Sequence, residues 1–471
     1  MSRAHGRRVA ARAPRGGSGP WPLVAALLLV PLTVGALVAA GASDNVTGEQ
    51  PAVASRLDVG TRSFVCTGGL PGTTAVAGTV NPRGTVTVNG GAPPTGSVRV
   101  HDPADVVADP AASTGAFAAQ QAGSPRWLAA AGCPEPRPTW WFVGAGASDR
   151  HDTVLTIANP RPGTAIFDVD VIGADGPVDA PGLHGLTLAS GATRTLDLAR
   201  VAAATGDLAV RVQTSQGLVA AGAAESWAEA LIGKTVHEWV PPQGAAARNV
   251  DLAGVAGDSS STLVLANPGA REAVVRMRLV GKNGTFNPTR HASLTVSPGS
   301  IETVDVSDVV RSGTDAVRLA ANVPVVATLR SVHQRDEGYA VAARPVHGSG
   351  AVAVPAGVRA GIVLASVPVG RKATDAAETQ QQTQPAAQQP SSVRLRVLGR
   401  HGHRLRSLTV TVPAAGSVTT SLPRAARSVA VSVSDGGVVG AVVLRSGPGI
   451  AALPLVRPVA AQRRPGVVPG W

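Results

Sequence analysis

The chain is poor in aromatic residues, which make up 3% of its 471 positions. A core must therefore be built in thin layers from Val, Leu, Ile and Ala rather than around large rings. Cysteine is scarcer still. Cys66 and Cys133 are the only two, too few and too far apart for a zinc site, which needs four ligands at short spacings. Lysine occurs only at Lys234, Lys282 and Lys372 against abundant arginine; together with the Ala content, this reads as the bias of a GC-rich genome. There is no Gly-rich phosphate loop, Gly-x-Ser-x-Gly elbow, His-Glu-x-x-His or Cys-x-x-Cys, so the common signatures of nucleotide-binding, serine-hydrolase and zinc enzymes are missing. The sequence offers no catalytic, cofactor-binding or metal-ligating candidates. The expectation is a non-enzymatic protein with no cofactor, and a hydrolase with a dispersed site is the minor alternative.

What is present is glycine (55), proline (37) and many Val, Thr and Ala residues, a mixture that favours short strands joined by turns. The length allows three or four domains, each with its own core. A net charge of +12 suggests nucleic acid until its distribution is examined. Arg3, Arg7, Arg8, Arg12 and Arg15 precede the first apolar run, and Arg457, Arg463 and Arg464 lie in a Pro-rich tail. Much of the excess sits at the two ends, so a nucleic-acid partner is not expected.

Residues 21–42 carry no charge, and a helix of that length spans about 30 Å, the thickness of a bilayer core. The five arginines before it hold the N-terminus in the cytoplasm by the positive-inside bias. This reads as a signal anchor: a single-pass protein of the cell membrane with its C-terminal part extracytoplasmic. The alternative is a secreted protein, because Ala40-Gly41-Ala42 forms a small-x-small cleavage site. Cys66 and Cys133 then lie on the oxidising side, and a disulfide between them is expected over free buried thiols. Closing a loop of nearly seventy residues contributes about 4 kcal/mol on the chain-entropy model.

The strongest internal signal is a repeat at an offset of 108 residues: Ala158-Asn159-Pro160 falls on Ala266-Asn267-Pro268, Gly173 and Gly176 on Gly281 and Gly284, and Asp197 and Asp207 on Asp305 and Asp315. Each unit starts with a strand ended by Asn-Pro, since proline cannot donate to a ladder. An alternating strand and a Gly-x-x-Gly hairpin turn follow. A third copy begins near residue 350, where Val397-Leu398-Gly399 matches Leu279-Val280-Gly281. Six or seven short strands per hundred residues predict an all-β chain of tandem immunoglobulin-like β-sandwich repeats following an N-terminal transmembrane helix. The expected divisions are a basic N-terminus (1–20), the membrane segment (21–42), a β-rich disulfide-containing unit (43–147), sandwich repeats at 148–250, 251–349 and 350–455, and a basic flexible tail (456–471). The last repeat carries a Gln-, Ala- and Thr-rich insertion (373–392), expected to be disordered.

Four constellations have functional potential. His401-Gly402-His403 occupies a hairpin turn, where polar residues are simply solvated. Asp197 and Asp305 recur with the repeat and fit turn hydrogen bonds better than paired catalysis. Trp140-Trp141-Phe142, with Trp127, Trp227 and Trp239, fits core filling better than sugar stacking. The fourth is a basic strip with no acid between Val393 and Arg427. Arg394 and Arg396 share one face of a strand, and Arg400, Arg404 and Arg406 follow, a possible surface for an anionic ligand.

Cys133-Pro134, Trp140-Trp141-Phe142, Ala158-Asn159-Pro160, the Gly-x-x-Gly turn and Glu238-Trp239-Val240-Pro241 together resemble a family of uncharacterised actinobacterial exported proteins with one membrane segment. The resemblance implies a cell-envelope location and transfers no catalytic residue. The expected function is a membrane-anchored β-repeat scaffold or interaction module of the cell envelope. Its partners are the membrane, through the N-terminal helix, and a cell-wall polymer or another envelope protein. The alternatives are an accessory subunit of an envelope-assembly complex and a binder of anionic cell-wall polymer.

Overall fold

The structure is a computed structural model. It describes residues 60–457, apart from 92–97, 114, 203, 230–233, 255–259, 335 and 368–388. The expected membrane segment (21–42), basic N-terminus and tail beyond 457 lie outside the described residues, as does most of the 373–392 insertion, whose last two residues open a strand, Ser391–Leu398. Among the described residues no helix is long and apolar enough to cross a membrane. Asp58–Gln462 is one compact unit.

The period-two alternation produces the expected strands. In Ala165–Gly173, Phe167, Val169 and Val171 are buried while Asp168 and Asp170 face outward. The 108-residue repeat is kept to the residue, since its counterpart is Ala273–Gly281, and the hairpins pair Gly173 with Gly176 and Gly281 with Gly284. The Asn-Pro corner works identically in both copies. The Asn159 amide donates to the carbonyls of Gly163 and Leu188, and that of Asn267 to those of Arg271 and Val296. The recurrent aspartates do cap turns: Asp197 accepts from the Arg200 amide of the helical turn Leu198–Val201, and Asp305 from the Ser307 amide.

Strand order shows four copies. In the last, Ser349–Ala353, Ser428–Val433, Ser391–Leu398 and Arg404–Val412 form one sheet in that order, and Ser417–Ser421, Arg359–Ser366, Val438–Ser446 and Gly449–Pro454 another. The first copy follows the same path without a counterpart of Arg404–Val412: Arg62–Cys66, Ala104–Ala108 and Val86–Val88, then Val98–Arg99, Thr74–Thr79, Ala116–Ser124 and Trp127–Gly132. The Cys66–Cys133 disulfide ties its opening strand to the residue after its closing one. The second copy begins with Thr139–Ser148, ahead of the expected boundary at 148, and Ala247–Ala253, which straddles the 250/251 boundary, opens the third.

The expected tandem immunoglobulin-like sandwiches are overturned by how the copies meet: they are blades of a four-blade β-propeller-like ring. Consecutive blades share apolar clusters. Trp141, Val143, Ile172 and Ala209 of the second pack on Val264, Ala266, Ile301 and Val326 of the third, and Val280, Ala316 and Val341 of the third on Ala365, Val439 and Ala441 of the fourth. Leu70, Ala129 and Ala131 of the first meet Ala224 and Trp239 of the second. The ring closes where Phe117, Ala119, Leu128 and Ala130 of the first blade enter the core cluster of the fourth. The last strands of the blades, Trp127–Gly132, Lys234–Val240, Asp336–Ala343 and Gly449–Pro454, touch one another in cyclic order around the middle; they are called the axial strands below. Independent sandwiches leave the outer faces of their sheets wet, whereas here apolar residues on those faces pack against the next blade.

Candidate functional site

The axial strands approach at backbone distance. A Cβ on Gly338 would lie 2.8 Å from the Ile450 carbonyl oxygen, and one on Gly449 2.6 Å from the Leu128 Cβ. Glycine is required at both positions because a neighbouring axial strand passes there.

Around this crossing lies a buried polar cluster that the sequence did not announce. Glu225 accepts from Tyr339 Oη at 2.5 Å and lies 3.0 Å from His151 Nε2, so a side chain of the third blade is bonded into the second. His151 stacks on Trp227 at 3.5 Å, and the Arg330 guanidinium lies 4.4 Å over the other ring centroid of that pair, Trp227. Arg330 also binds Asp207 at 2.7 Å across the blade boundary and forms an ion pair with Glu337 at 2.8 Å whose direction falls short of a hydrogen bond. Asp336 Oδ2 accepts from the backbone amides of Leu128 at 3.1 Å and Ile450 at 2.9 Å, thereby joining the first, third and fourth blades. Glu238 Oε1 accepts from the Trp239 amide at 2.9 Å.

Burial dominates the electrostatics. It pushes the Asp336 carboxyl up to about 7 against three backbone amides that pull the other way. It also raises Glu238 well above the carboxylate range, with Asp336 and Glu225 adding repulsion. Glu337 is raised by burial despite Arg330, and the Tyr339 phenol is raised by burial and by Glu225. Burial works against the Arg330 charge, but Tyr339, Glu337 and Asp207 outweigh it and hold the proton on. These groups bond mainly to one another and to backbone across blade boundaries, an arrangement that ties blades together.

Of the residues singled out in the sequence, Trp140, Trp141, Phe142 and Trp239 are buried as core or interface. His403 Nδ1 lies 2.6 Å from the Arg400 carbonyl inside its turn, and no group of three potential metal ligands exists among the described residues. Arg394, Arg396, Arg400, Arg404 and Arg406 are all exposed on the outer strands of the fourth blade. Arg396 reaches back to the Val80 carbonyl of the first blade at 3.2 Å. The other four have no side-chain partner among the described residues.

The repeat makes this comparison internal. Arg394 and Arg396 align with Arg276 and Arg278 in the third blade and with Asp168 and Asp170 in the second. There Asp170 is neutralised by Arg211 at 2.8 Å. The ion pairs among the described residues lie in the first three blades, and Asp435 is the one carboxylate among the described residues of the fourth. A surface depression of about 340 Å³ in the second blade, lined by Asp170, Asp179 and His184 among others, lies apart from both the cluster and the basic strip.

No curated protein matches the chain. Among solved structures it is similar to a Streptomyces avermitilis alpha-L-rhamnosidase complexed with L-rhamnose, at 14% identity and a TM-score of 0.14, over 80% of this chain and 54% of that one. The chain thus spans about half the length of that enzyme, and the overlap is too poor to show a shared fold. Residues 93–387 match the model of a family of unknown function (DUF5719), and the chain belongs to that family.

Proposed function

We propose that this protein is a non-enzymatic scaffold of the cell envelope that presents its fourth blade to an anionic envelope polymer. The observation that carries the reading is the set of exposed arginines Arg394, Arg400, Arg404 and Arg406, without carboxylate partners, on a blade whose described residues hold one acid. Arginine is a donor fork suited to phosphate and carboxylate, and unneutralised cations of one sign attract a polyanion through a field that salt screens. A bilayer surface fits less well. The exposed large apolar residues among those described are Val107, Val201, Val274, Phe286 and Val332, all outside the fourth blade, so the basic strip has no apolar group to insert. The disulfide supports an exported location, and residues 21–42 supply the tether in this reading, with the ring outside the cell.

Binding to fluorescently labelled polyphosphate, titrated with salt, tests it. The wild type should bind with an affinity that falls linearly with salt on a log-log scale. The Arg394→Ser, Arg404→Ser, Arg406→Ser triple variant should lower that slope by about 2, at roughly 0.7 per lost contact on a single strand. Binding that ignores salt, an unchanged slope in the triple variant, or binding to anionic lipid vesicles but not to polyphosphate contradicts the proposal.

A further inference from the structure

Chain connectivity joins the first blade to the second, the second to the third and the third to the fourth, but the first and fourth meet without a covalent link, through packing and side-chain bonds to backbone such as that of Arg396 to the Val80 carbonyl, and the disulfide leaves their seam untouched. At this seam one side chain spans both partners: Asp336 Oδ2 holds the amides of Leu128 and Ile450. Its second oxygen, Oδ1, is buried without a partner among the described residues, as is Glu238 Oε2 on the neighbouring axial strand. Asp336 is 1% exposed and Glu238 2%.

We propose that the Asp336 carboxyl is a proton-operated clasp on the seam between the first and fourth blades, closed while Asp336 and Glu238 are neutral and loosened when they ionise. In the neutral form the proton sits on Oδ1, the oxygen with no donor of its own, and leaves the Oδ2 lone pairs to the two amides. Loss of that proton to solvent leaves a buried carboxylate whose desolvation costs more than two amide donors return.

Among the described residues the surroundings supply no uncommitted counter-charge. The strands Trp127–Gly132 and Gly449–Pro454 have no ionisable side chains and contribute amides. Lys234–Val240 brings Glu238 and also His237, whose ring packs on Trp127. Ala316–His333 brings Arg330, committed to Asp207 and Glu337, and His333, which lies 3.4 Å from Arg445 of Val438–Ser446. Ala247–Ala253 brings Asp251, paired with Arg318, and the exposed Arg248. On the strand of Asp336 itself, Glu337 and Tyr339 are committed to Arg330 and Glu225. Ionising Asp336 and Glu238 together therefore places two like charges in a dry crossing.

The sign follows from burial. The folded-state value of Asp336 is raised to about 7, against about 3.9 in an unfolded chain. Between those values the folded ring binds more protons, so the stabilisation is present in acid and is lost as pH rises from about 4 through 7. The seam should be tight in mild acid and loosened above neutrality.

Hydrogen exchange of the full chain at pH 5.5 and 8.5, corrected for intrinsic exchange rates, tests this in peptides covering Trp127–Gly132 and Gly449–Pro454. Protection there should fall at least about tenfold at pH 8.5, relative to the second-blade strand Ala165–Gly173, the change that one unit of linked titration produces. In Asp336→Asn the difference between the two pH values should vanish. Should that variant fail to fold, Glu238→Gln serves instead: removing the neighbouring negative charge should move the loss of protection to higher pH. Equal protection at both pH values in the wild type overturns the proposal. So does a pH dependence that survives in Asp336→Asn, or one that Glu238→Gln leaves in place. Recovery of protection at pH 8.5 on adding calcium also overturns it, by showing that a cation rather than a proton neutralises the site.

Discussion

Asn159 and Asn267 show what a single repeated residue does in this fold. Each is buried at 2% or less, and each amide spans the corner after its strand, with bonds of 2.8 and 3.1 Å to two carbonyls for Asn159 and of 2.7 to 3.2 Å to three for Asn267. The side-chain oxygens close the same turn by accepting from Arg161 and Gly269 amides. Alanine at position 267 would remove the bonds to the Arg271, Val296 and Ser297 carbonyls and should cost about 2 to 3 kcal/mol in urea unfolding; a loss below about 0.5 kcal/mol would mean that the corner holds without it. This role was half legible in the sequence. Asn-Pro marked the end of a strand because of the proline, whereas the stabilising contacts belong to the asparagine. The buried acids were harder to find. Glu225, Glu238 and the adjacent pair Asp336-Glu337 are far apart in sequence, and they come together only because the axial strands do. The one available signal was an acid set inside an otherwise apolar stretch, as in His237-Glu238-Trp239-Val240.

At the scale of the element, the run Trp140-Trp141-Phe142-Val143 explains why strands were readable and blades were not. Trp140 and Phe142 enter the core of their own blade, and Trp141 and Val143 enter the interface with the next one. Alternation assigns residues to two faces but cannot say that the second face is also covered. The same holds for Leu263 and Leu265 against Val264 and Ala266. Truncating Trp141 to Ala should therefore cost about 3 to 5 kcal/mol, as much as truncating the core residue Phe142, measured as the shift in urea midpoint. A negligible cost would place Trp141 on a free surface. The first blade escaped the sequence comparison for a related reason. Val86–Val88 and Val98–Arg99 are too short to carry a pattern, yet Asn81-Pro82 follows its second strand, Thr74–Thr79, as Asn-Pro does in the second and third copies, and its strands keep the fourth blade's order without a counterpart of Arg404–Val412.

For the whole molecule, equivalent aspartates bridge successive blades. Asp207 of the second bonds Thr303 and Arg330 of the third, and Asp315 of the third bonds Ser417 and Thr419 of the fourth. The match of Asp207 to Asp315 was visible in the sequence; their reach into the next copy was not, because a repeat tells what recurs within a unit and nothing of the angle between units. The apolar interfaces and these bridges make a closed platform, and the described residues of its fourth blade carry their positive charge without an ion pair to a carboxylate. The proposed polymer binding depends on that platform, and so does the clasp, since a seam between first and last blades exists only in a ring.

Small-angle scattering of the Asp58–Gln462 unit tests the ring most directly. A compact body of this size has a radius of gyration of about 22 Å, whereas four domains of about 13 Å each, strung about 30 Å apart, give roughly 36 Å. The ring predicts the smaller value, unchanged between low and high salt at pH 5.5. A value near the larger one, at any salt concentration, would contradict it and restore a string of separate domains.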